Sequence, residues 1–486
     1  MLQTTICQNS KVVHSLTKVP FGLVFGMLAA NLIVPCAYGD VPISTLISFS
    51  TSSGTQPAAG LVQGPDGALY GTTEAYGPNN KGTVFKIASD GIFTNLVSFT
   101  GTNGLYPGAN PAGTLLWGTD GNFYGTTSTG GTNNNGTVFQ LNTNGVFTSL
   151  VSFTGTNGAY LGEYPVAGLV WGTNGNLYGT TQYGGTNDLV NGSGGTIFEL
   201  TTNGVFTSLV SFTGTNGAYL GASPNAALTL GTDGNFYGTT EMGGTNDFVN
   251  GGDGTVFRIT STGAFTTLVS FNSGNNIDGA NPYAGLIQGL DGYFYGTTYA
   301  GGSQSLGTIF KITSQGLLTT LLAFNSTNGA SPEGGLVQGL DGDFYGTTQS
   351  GGTTDYGTVF QMTPVGMFTS LVSFAQTNGA NPVAGLIQGS DGYFYGTTGS
   401  GGTNFLYGTV FRFPPPPNIL SWKWAGGALS VTWSAAAGQT YQVLFKTNLD
   451  QTAWTSLATN TATSSTATNS DTIGTGQQRF YRVSLP

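Results

Sequence analysis

The sequence repeats one pattern seven times. Each copy carries, in order, a short apolar run, an Asp-Gly or Asn-Gly pair, Tyr-Gly-Thr-Thr, Gly-Thr-Val-Phe or a close variant, and a run of the type Phe-Thr-x-Leu-Val-Ser-Phe. The repeats are 50 to 59 residues long, with Tyr-Gly-Thr-Thr motifs that begin at Tyr70, Tyr124, Tyr178, Tyr237, Tyr295, Tyr345 and Tyr395. Periods of this length are typical of solenoids and β-propellers. Because every copy holds four strand-like runs, the pattern predicts four-stranded sheets, one for each repeat.

The links between the strands differ in length in a regular way. The Asp-Gly pair lies at a fixed distance before the Tyr, which predicts a two-residue hairpin turn with positive φ at both central residues. The glycine inside Tyr-Gly-Thr-Thr is expected to let a neighbouring backbone approach closely. The two variable links join strands two to three and strand four to the next copy. Because turns alternate between the two ends of a sheet, these links share one edge, here named the long-loop face, where a ligand is expected.

The phase of the repeat indicates how its ends meet. Residues 43–49 match a fourth strand, whereas the seventh copy ends after its third strand at Phe413. The first strand is therefore expected to complete the last sheet. An open solenoid is the alternative, but it gives no reason for this complementary offset. The prediction is an all-β chain in which residues 40–413 form a seven-bladed β-propeller closed by the N-terminal strand.

The two ends of the chain differ from the repeats. Residues 1–39 are typical of a signal peptide, with Lys11 and Lys18 before an apolar run and a cut before Asp40. A membrane anchor is the alternative, but the run of about 14 residues is shorter than the roughly 20 that spanning needs. We expect an exported protein that is extracellular, on the cell surface or periplasmic. At the other end, a proline linker at 414–417 precedes residues 418–486, whose alternating strands and four tryptophans predict a small fibronectin type III-like β-sandwich.

The tandem motifs Tyr-Gly-Thr-Thr, Gly-Gly-Thr-Asn and Gly-Thr-Val-Phe resemble the GloVer repeats of bacterial extracytoplasmic proteins. The resemblance covers residues 43–413. It implies a β-propeller-like fold, export, and a C-terminal module for attachment or sorting. It implies no particular biochemical activity.

Composition limits the chemistry of the exported chain. Removing residues 1–39 would remove both cysteines and the one histidine, which excludes a Ser-His-Asp or Cys-His nucleophile and a His-ligated metal site. It would leave nine basic and 21 acidic residues, a net charge of −12, so a nucleic-acid partner is not expected. The mature chain is expected to be a monomer without a membrane span.

Carboxylates and tyrosines remain as candidates on the long-loop face. The candidate ligand-binding residues are Tyr76, Tyr183, Tyr299, Glu74 and Glu241. Glu74 and Glu241 follow Tyr-Gly-Thr-Thr in copies one and four, and we expect them to lie too far apart to act together. Solvated loop residues are the alternative interpretation. Three further tyrosines are candidates for stacking on sugar rings: Tyr106, Tyr160 and Tyr219.

Two similar long loops offer oxygen ligands of the kind that calcium accepts. Their carboxylates are Asp188, Asp247 and Asp253. Turn formation explains the same Asn, Asp and Gly residues without an ion. No other cofactor is expected.

These observations favour a non-catalytic binding scaffold for an extracellular protein or glycan. Two alternatives stay open: a polysaccharide-active enzyme that uses carboxylates alone, and a purely structural surface array.

Overall fold

The chain is built from β-strands. The computed structural model describes residues 4–8, 11–15, 41–186, 194–245, 252–272, 278–403, 405–448, 450–472 and 479–486. These ranges contain 36 strands and no helix, so the all-β prediction is confirmed. It follows that the described part of the chain includes no helix that could cross a membrane.

Seven of the sheets are antiparallel, contain four strands each, and are numbered here after the repeat that supplies their Tyr-Gly-Thr-Thr strand. Sheets 1 to 3 contain β4 (Val62–Gln63), β5 (Leu69–Thr73), β6 (Thr83–Ile87) and β7 (Phe93–Ser98); β8 (Leu116–Trp117), β9 (Asn122–Thr127), β10 (Thr137–Asn142) and β11 (Phe147–Ser152); and β12 (Val170–Trp171), β13 (Leu177–Thr181), β14 (Thr196–Leu200) and β15 (Phe206–Ser211). Sheets 4 and 5 contain β16 (Thr229–Leu230), β17 (Phe236–Thr240), β18 (Thr255–Ile259) and β19 (Phe265–Ser270); and β20 (Ile287–Gln288), β21 (Phe294–Thr298), β22 (Thr308–Ile312) and β23 (Leu318–Ala323). Sheets 6 and 7 contain β24 (Val337–Gln338), β25 (Phe344–Thr348), β26 (Thr358–Met362) and β27 (Phe368–Ser373); and β28 (Ile387–Gln388), β29 (Phe394–Thr398), β30 (Thr409–Phe413) and β3 (Ser44–Ser48).

Sheet 7 takes its fourth strand from the start of the described repeats. β3 pairs antiparallel with β30, with Ile47 opposite Val410. The pairing contains a bulge at Leu46, at the position where the third and fourth strands of the other six sheets also shift register. β3 therefore occupies the place that an internal fourth strand has in sheets 1 to 6.

Consecutive sheets pack through one repeated aromatic contact. The Phe that follows each fourth strand lies against the Gly-Thr-Val-Phe phenylalanine of the next sheet, with ring centroids 5.1 to 5.6 Å apart. The pairs are Phe99–Phe139, Phe153–Phe198, Phe212–Phe257, Phe271–Phe310, Phe324–Phe360, Phe374–Phe411 and Phe49–Phe85. The last pair joins sheet 7 to sheet 1. A hydrogen bond of 3.1 Å from the Thr397 hydroxyl to the Ala59 carbonyl joins the same two sheets.

Within each sheet, the repeated motifs contact one another. The second Thr of Tyr-Gly-Thr-Thr shares a buried hydroxyl hydrogen bond with the Thr of the third strand in all seven sheets, at 2.7 to 2.9 Å. The Gly of the motif lies under the phenylalanine of that strand: a Cβ on Gly71 would lie 2.6 Å from the Phe85 ring. An aromatic ring, and not a backbone, thus requires this glycine.

The turn between the first two strands differs from the two-residue turn expected. In sheet 1 the Gly64 amide bonds to the Ala68 carbonyl, so three residues form the loop, and only Gly67 among them has positive φ. This is a type I turn with a glycine bulge. Asp66 has two roles that the turn signal does not reveal: its Oδ1 accepts the Ala68 amide, and its Oδ2 accepts the Tyr70 hydroxyl at 2.9 Å.

In sheet 3 the carboxylate beside the tyrosine comes from the third strand and not from the turn. Its turn has Asn174 where the other turns have Asp, and its third strand has Glu199 where the others have Lys, Arg or Gln. The Tyr178 hydroxyl donates to Glu199 at 2.8 Å, and the Asn174 amide donates to the same carboxylate at 2.9 Å. One acceptor carboxylate is therefore kept beside the tyrosine.

The C-terminal residues form two further sheets. One contains β31 (Ile419–Ala425), β32 (Ala428–Ser434) and β35 (Thr466–Thr472); the other contains β33 (Thr440–Lys446), β34 (Thr455–Thr461) and β36 (Arg479–Ser484), with β1 (Thr4–Gln8) beside β36 and β2 (Lys11–Ser15) beside β1. Trp433 and Tyr441, one from each sheet, are fully buried in a shared core.

This C-terminal unit rests on the turns of sheets 6 and 7. Residues 414–417 are buried, so the proline segment is a packed contact and not a free spacer. The buried Asn418 amide donates to the Asp341 carboxylate, and the Ala437 amide donates to the Asp391 carbonyl at 2.8 Å. The contact lies at the Asp-Gly turns, which leaves the long-loop face uncovered by the described C-terminal residues.

Candidate ligand-binding site

Two positions of every repeat meet at the long-loop face. One follows the proline that precedes the first strand, and the other follows Tyr-Gly-Thr-Thr. The residue before the proline has a φ of 52° to 55° in all seven repeats, for example at Ser223, although none of these residues is glycine. Its carbonyl accepts the amide of the residue after Tyr-Gly-Thr-Thr at 2.9 to 3.1 Å, as Ser223 does from Glu241. This left-handed kink brings the two positions side by side.

The residues at these positions differ among the repeats. The post-proline position holds, in order, Ala58, Ala112, Val166, Asn225, Tyr283, Glu333 and Val383. The position after Tyr-Gly-Thr-Thr holds Glu74, Ser128, Gln182, Glu241, Tyr299, Gln349 and Gly399. Polar or aromatic side chains thus occupy the post-proline position only in three consecutive repeats.

A pit of about 300 Å³ opens where the seven post-proline positions meet, and residues of all seven sheets line it. Small or aliphatic side chains form one side: Ala58, Ala112, Val166 and Val383. Asn225, Tyr283 and Glu333 form the other side. The volume is at the lower end of the range for small-molecule sites, and the pit has one apolar and one polar wall.

Glu241 lies behind the polar wall of the pit and links its members. Its Oε2 accepts the Asn225 amide at 2.7 Å. Burial raises the pKa of the Tyr283 hydroxyl, and the neighbouring Glu241 carboxylate raises it further through charge and hydrogen bonding. The Asn225 Oδ1 is buried and has no hydrogen-bond partner among the described residues. A buried acceptor without a partner costs stability at this position.

Glu333 contributes a carboxyl group to the described lining of the pit. Burial raises its pKa to about 7, and the Glu241 carboxylate adds to the rise. No Lys or Arg is among the described residues that line the pit, so no side chain of the lining offers a counter-charge. The Glu333 and Glu241 carboxyl groups can each accept a hydrogen bond or attract a cation.

Tyrosines surround this acidic pair. Tyr299 lies next to Tyr283, with ring centroids 5.4 Å apart. Tyr183 lies 5.6 Å from Tyr164, and burial raises the pKa of the Tyr183 hydroxyl, with a further rise from Glu241. Of the predicted ligand-binding residues, the structure thus brings Tyr183, Glu241 and Tyr299 to one place.

The structure separates the other two predicted residues from this group. Glu74 is half-buried in sheet 1, and burial alone raises its pKa, without a contribution from a charged neighbour. Tyr76 is exposed and has a φ of 58° in the loop after Glu74. That Glu74 and Glu241 lie too far apart to act together stays a prediction.

The other aromatic candidates have packing roles. Tyr106, Tyr160 and Tyr219 lie edge to face on phenylalanines of the next sheet, with ring centroids 5.5 to 5.7 Å apart. Their rings contribute to the contacts between sheets. The three tyrosines are half-buried, and sugar stacking on them stays a prediction.

The proposed calcium loops are described only in part. Asp188 and Asp247 lie outside the described residues. The Asp253 carbonyl accepts the Asn281 amide at 2.8 Å. The described ranges contain no group of three or more Asp, Glu, His or Cys side chains placed to hold a metal ion.

Sequence reasoning missed Asn225, Tyr283 and Glu333. The signal was present in the residue after the repeated proline, where Asn, Tyr and Glu replace Ala or Val. Comparing the seven repeats at that position would have found them. Their proximity to Glu241 depends on the backbone hydrogen bond between the two positions, which no local motif indicates.

Comparison with known proteins agrees with the repeat pattern. The sequence model of the Gloeobacter/Verrucomicrobia repeat matches residues 33–251 and 223–421. A search of curated proteins finds no match.

Solved structures show only remote similarity. A puromycin-hydrolyzing peptidase from Mycobacterium tuberculosis is 11% identical with a TM-score of 0.45, over 83% of this chain and 62% of that one. A functionally unknown protein from Desulfotomaculum acetoxidans is 10% identical with a TM-score of 0.39, over 77% and 96% of the two chains. A polysaccharide lyase described as an ulvan lyase is 12% identical with a TM-score of 0.36, over 78% of this chain and 91% of that one. These similarities carry no information about function. The family match, by contrast, spans most of the chain: this protein belongs to the Gloeobacter/Verrucomicrobia repeat family.

Proposed function

We propose that this chain is an exported, non-catalytic scaffold that binds a glycan at the pit on its long-loop face. In this proposal the seven sheets form a closed seven-bladed β-propeller, and the C-terminal unit is a fibronectin-like sandwich. The pairing of β3 with β30 and the contacts between sheets 7 and 1 support closure. The apolar run before Asp40, preceded by Lys11 and Lys18, supports export.

One observation carries the binding role: Asn225, Tyr283 and Glu333 converge on one wall of the pit, opposite small apolar side chains. A sugar ring presents both hydroxyls and an apolar face, so it suits a wall of hydrogen-bonding groups that includes an aromatic ring. The volume of about 300 Å³ favours a single sugar unit, which would be the terminal unit of a glycan chain.

A glycan array with the full exported chain tests this function. We expect binding to a subset of glycans, strong loss of binding in Tyr283→Ala, and unchanged binding in Glu74→Gln. Glu74 is the matched control because it occupies the same repeat position as Glu241 without a charged neighbour. The proposal would be refuted if the folded protein binds no glycan, or if the Tyr283→Ala variant binds as well as the unchanged protein. A structural array would then be the alternative.

One observation favours a carboxylate-only enzyme as a second candidate. Glu333 has a pKa raised to about 7 and interacts with Glu241, and such paired carboxyl groups serve as acid and nucleophile or base in glycosidases. Release of reducing ends from a bound glycan, abolished by Glu333→Gln, would establish this activity. Under our proposal no sugar is released.

A further inference from the structure

The pit holds negative charge that no basic residue of its lining offsets. Glu333 lines the pit, Glu241 lies behind it, and the described lining residues include no Lys or Arg. The titratable groups that interact with Glu333 or Glu241 are Tyr283 and Tyr183, and Tyr299 lies beside Tyr283; all of them are acids. A carboxylate that is withdrawn from water without a counter-charge is destabilised, and a bound cation removes that cost.

Aromatic rings beside the carboxyl pair add a second preference for positive charge. Tyr283 and Tyr299 lie 5.4 Å apart, and Tyr183 also interacts with Glu241. The faces of such rings attract ammonium groups, and the attraction grows when the groups are desolvated. Ring quadrupole and carboxylate thus favour the same kind of ligand.

We infer that the ligand of this pit is an amino sugar with a free ammonium group, held between the Glu241–Glu333 pair and the neighbouring tyrosines. The inference rests on the proposed glycan-binding function and names its ligand class. A lysine side chain carries the same charge, but its aliphatic stem offers no hydroxyl group to Tyr283, a polar side chain of that wall that can donate or accept. An amino sugar supplies ring hydroxyl groups as well as the ammonium.

Proton release gives a readout that a merely structural role of Glu333 would not produce. Because its pKa is raised to about 7, Glu333 holds a proton in much of the free protein just below neutral pH. An ammonium ligand favours the ionised carboxylate, so binding expels that proton to the buffer. A neutral sugar gives no such release.

Isothermal titration calorimetry at pH 6.5, in two buffers of different ionisation enthalpy, tests the inference with glucosamine, N-acetylglucosamine, glucose and an N-acetylated lysine amide. We expect glucosamine to bind at least 10-fold more tightly than the other three and to release protons. Glu333→Gln should abolish proton release and weaken glucosamine binding at least 10-fold, so that glucosamine loses its advantage over glucose. Glu74→Gln should change neither.

The outcomes separate the two proposals. If neutral sugars bind as tightly as glucosamine, or the lysine amide binds more tightly, the amino-sugar inference is wrong while the pit remains a binding site. If neither these compounds nor any glycan of the array binds to the folded protein, the proposed function fails as well. Proton release that persists in Glu333→Gln would also overturn the inference.

Discussion

Replacing Phe49 by alanine tests whether the first strand of the repeat region closes the ring. Phe49 is 1% exposed and lies 5.3 Å from the Phe85 ring at 61° and 5.9 Å from the Phe93 ring at 81°. Phe212 makes the same contacts inside the array, 5.5 Å from Phe257 at 62° and 5.8 Å from Phe265 at 81°. The matched geometry makes Phe212→Ala the control.

Truncating a fully buried phenylalanine costs about 3 to 5 kcal/mol of unfolding free energy, because the apolar contacts are lost and a cavity remains. If β3 is held as firmly as an internal fourth strand, Phe49→Ala and Phe212→Ala should lower the unfolding free energy by similar amounts within this range. Equilibrium denaturation in guanidinium chloride, followed by tryptophan fluorescence, measures both changes.

An open array gives a different result. Its terminal strand frays, because nothing holds the two ends together, so Phe49→Ala would cost less than about 1 kcal/mol while Phe212→Ala keeps its full effect. That outcome would refute ring closure. A large loss in both variants would show that Phe49 is held on sheet 1 as firmly as Phe212 is held on sheet 4, as ring closure requires.

Three further predictions concern single contacts. Asn174→Asp should lower the unfolding free energy by about 1 to 2 kcal/mol by placing a second carboxylate beside Glu199, and adding Glu199→Gln should restore most of it, which a double-mutant cycle in urea measures. For Glu333, the pKa of about 7 in the folded state exceeds the ordinary 4.5, so the folded state binds this proton more tightly than the unfolded state does. The stability that this proton contributes is complete below pH 4.5 and is lost as the pH rises towards 7. Glu333→Gln should therefore reduce the fall in denaturation midpoint over that interval, and an unchanged pH profile would contradict the assignment. Asn418→Ala removes an amide that donates to the buried Asp341, so calorimetry should show the C-terminal unit melting separately from the repeats, whereas a single unshifted transition would argue against this contact as the docking point.

The strands of the repeats could be predicted because each depends on local pattern. Alternating and apolar runs recur with fixed spacing, and burial of the same side chains in every sheet follows from that spacing. The place of β3 was also predictable, since residues 43–49 match a fourth strand and the seventh copy lacks one. Both conclusions need only a comparison of the seven repeats with one another.

The turn and the pit depend on contacts that local pattern does not contain. The Asp-Gly pair indicated a tight turn, but the hydrogen bond from the Tyr70 hydroxyl to Asp66 forms only when the paired strands lie side by side. Glu333 and Glu241 belong to different repeats and different repeat positions. Their approach follows from the kinked residue before each proline and from the arrangement of neighbouring sheets.

The two kinds of repeat position have different physical constraints. The Thr–Thr pairs and the glycine under the phenylalanine are buried and satisfied within their own sheet, so any change there damages the fold. The post-proline position faces the pit, and Ala or Val occupies it in four repeats, which demonstrates that the fold requires nothing larger or more polar there. Asn225 and Glu333 instead place a buried acceptor and a desolvated carboxyl group at that position, at a cost in stability. Departures from the pattern that a fold requires occur mainly at functional sites. Here three consecutive repeats depart from the small apolar residue at the post-proline position, and all three line one wall of one cavity. We therefore expect binding specificity to come from the residues that make the pit asymmetric, and not from those that all repeats share.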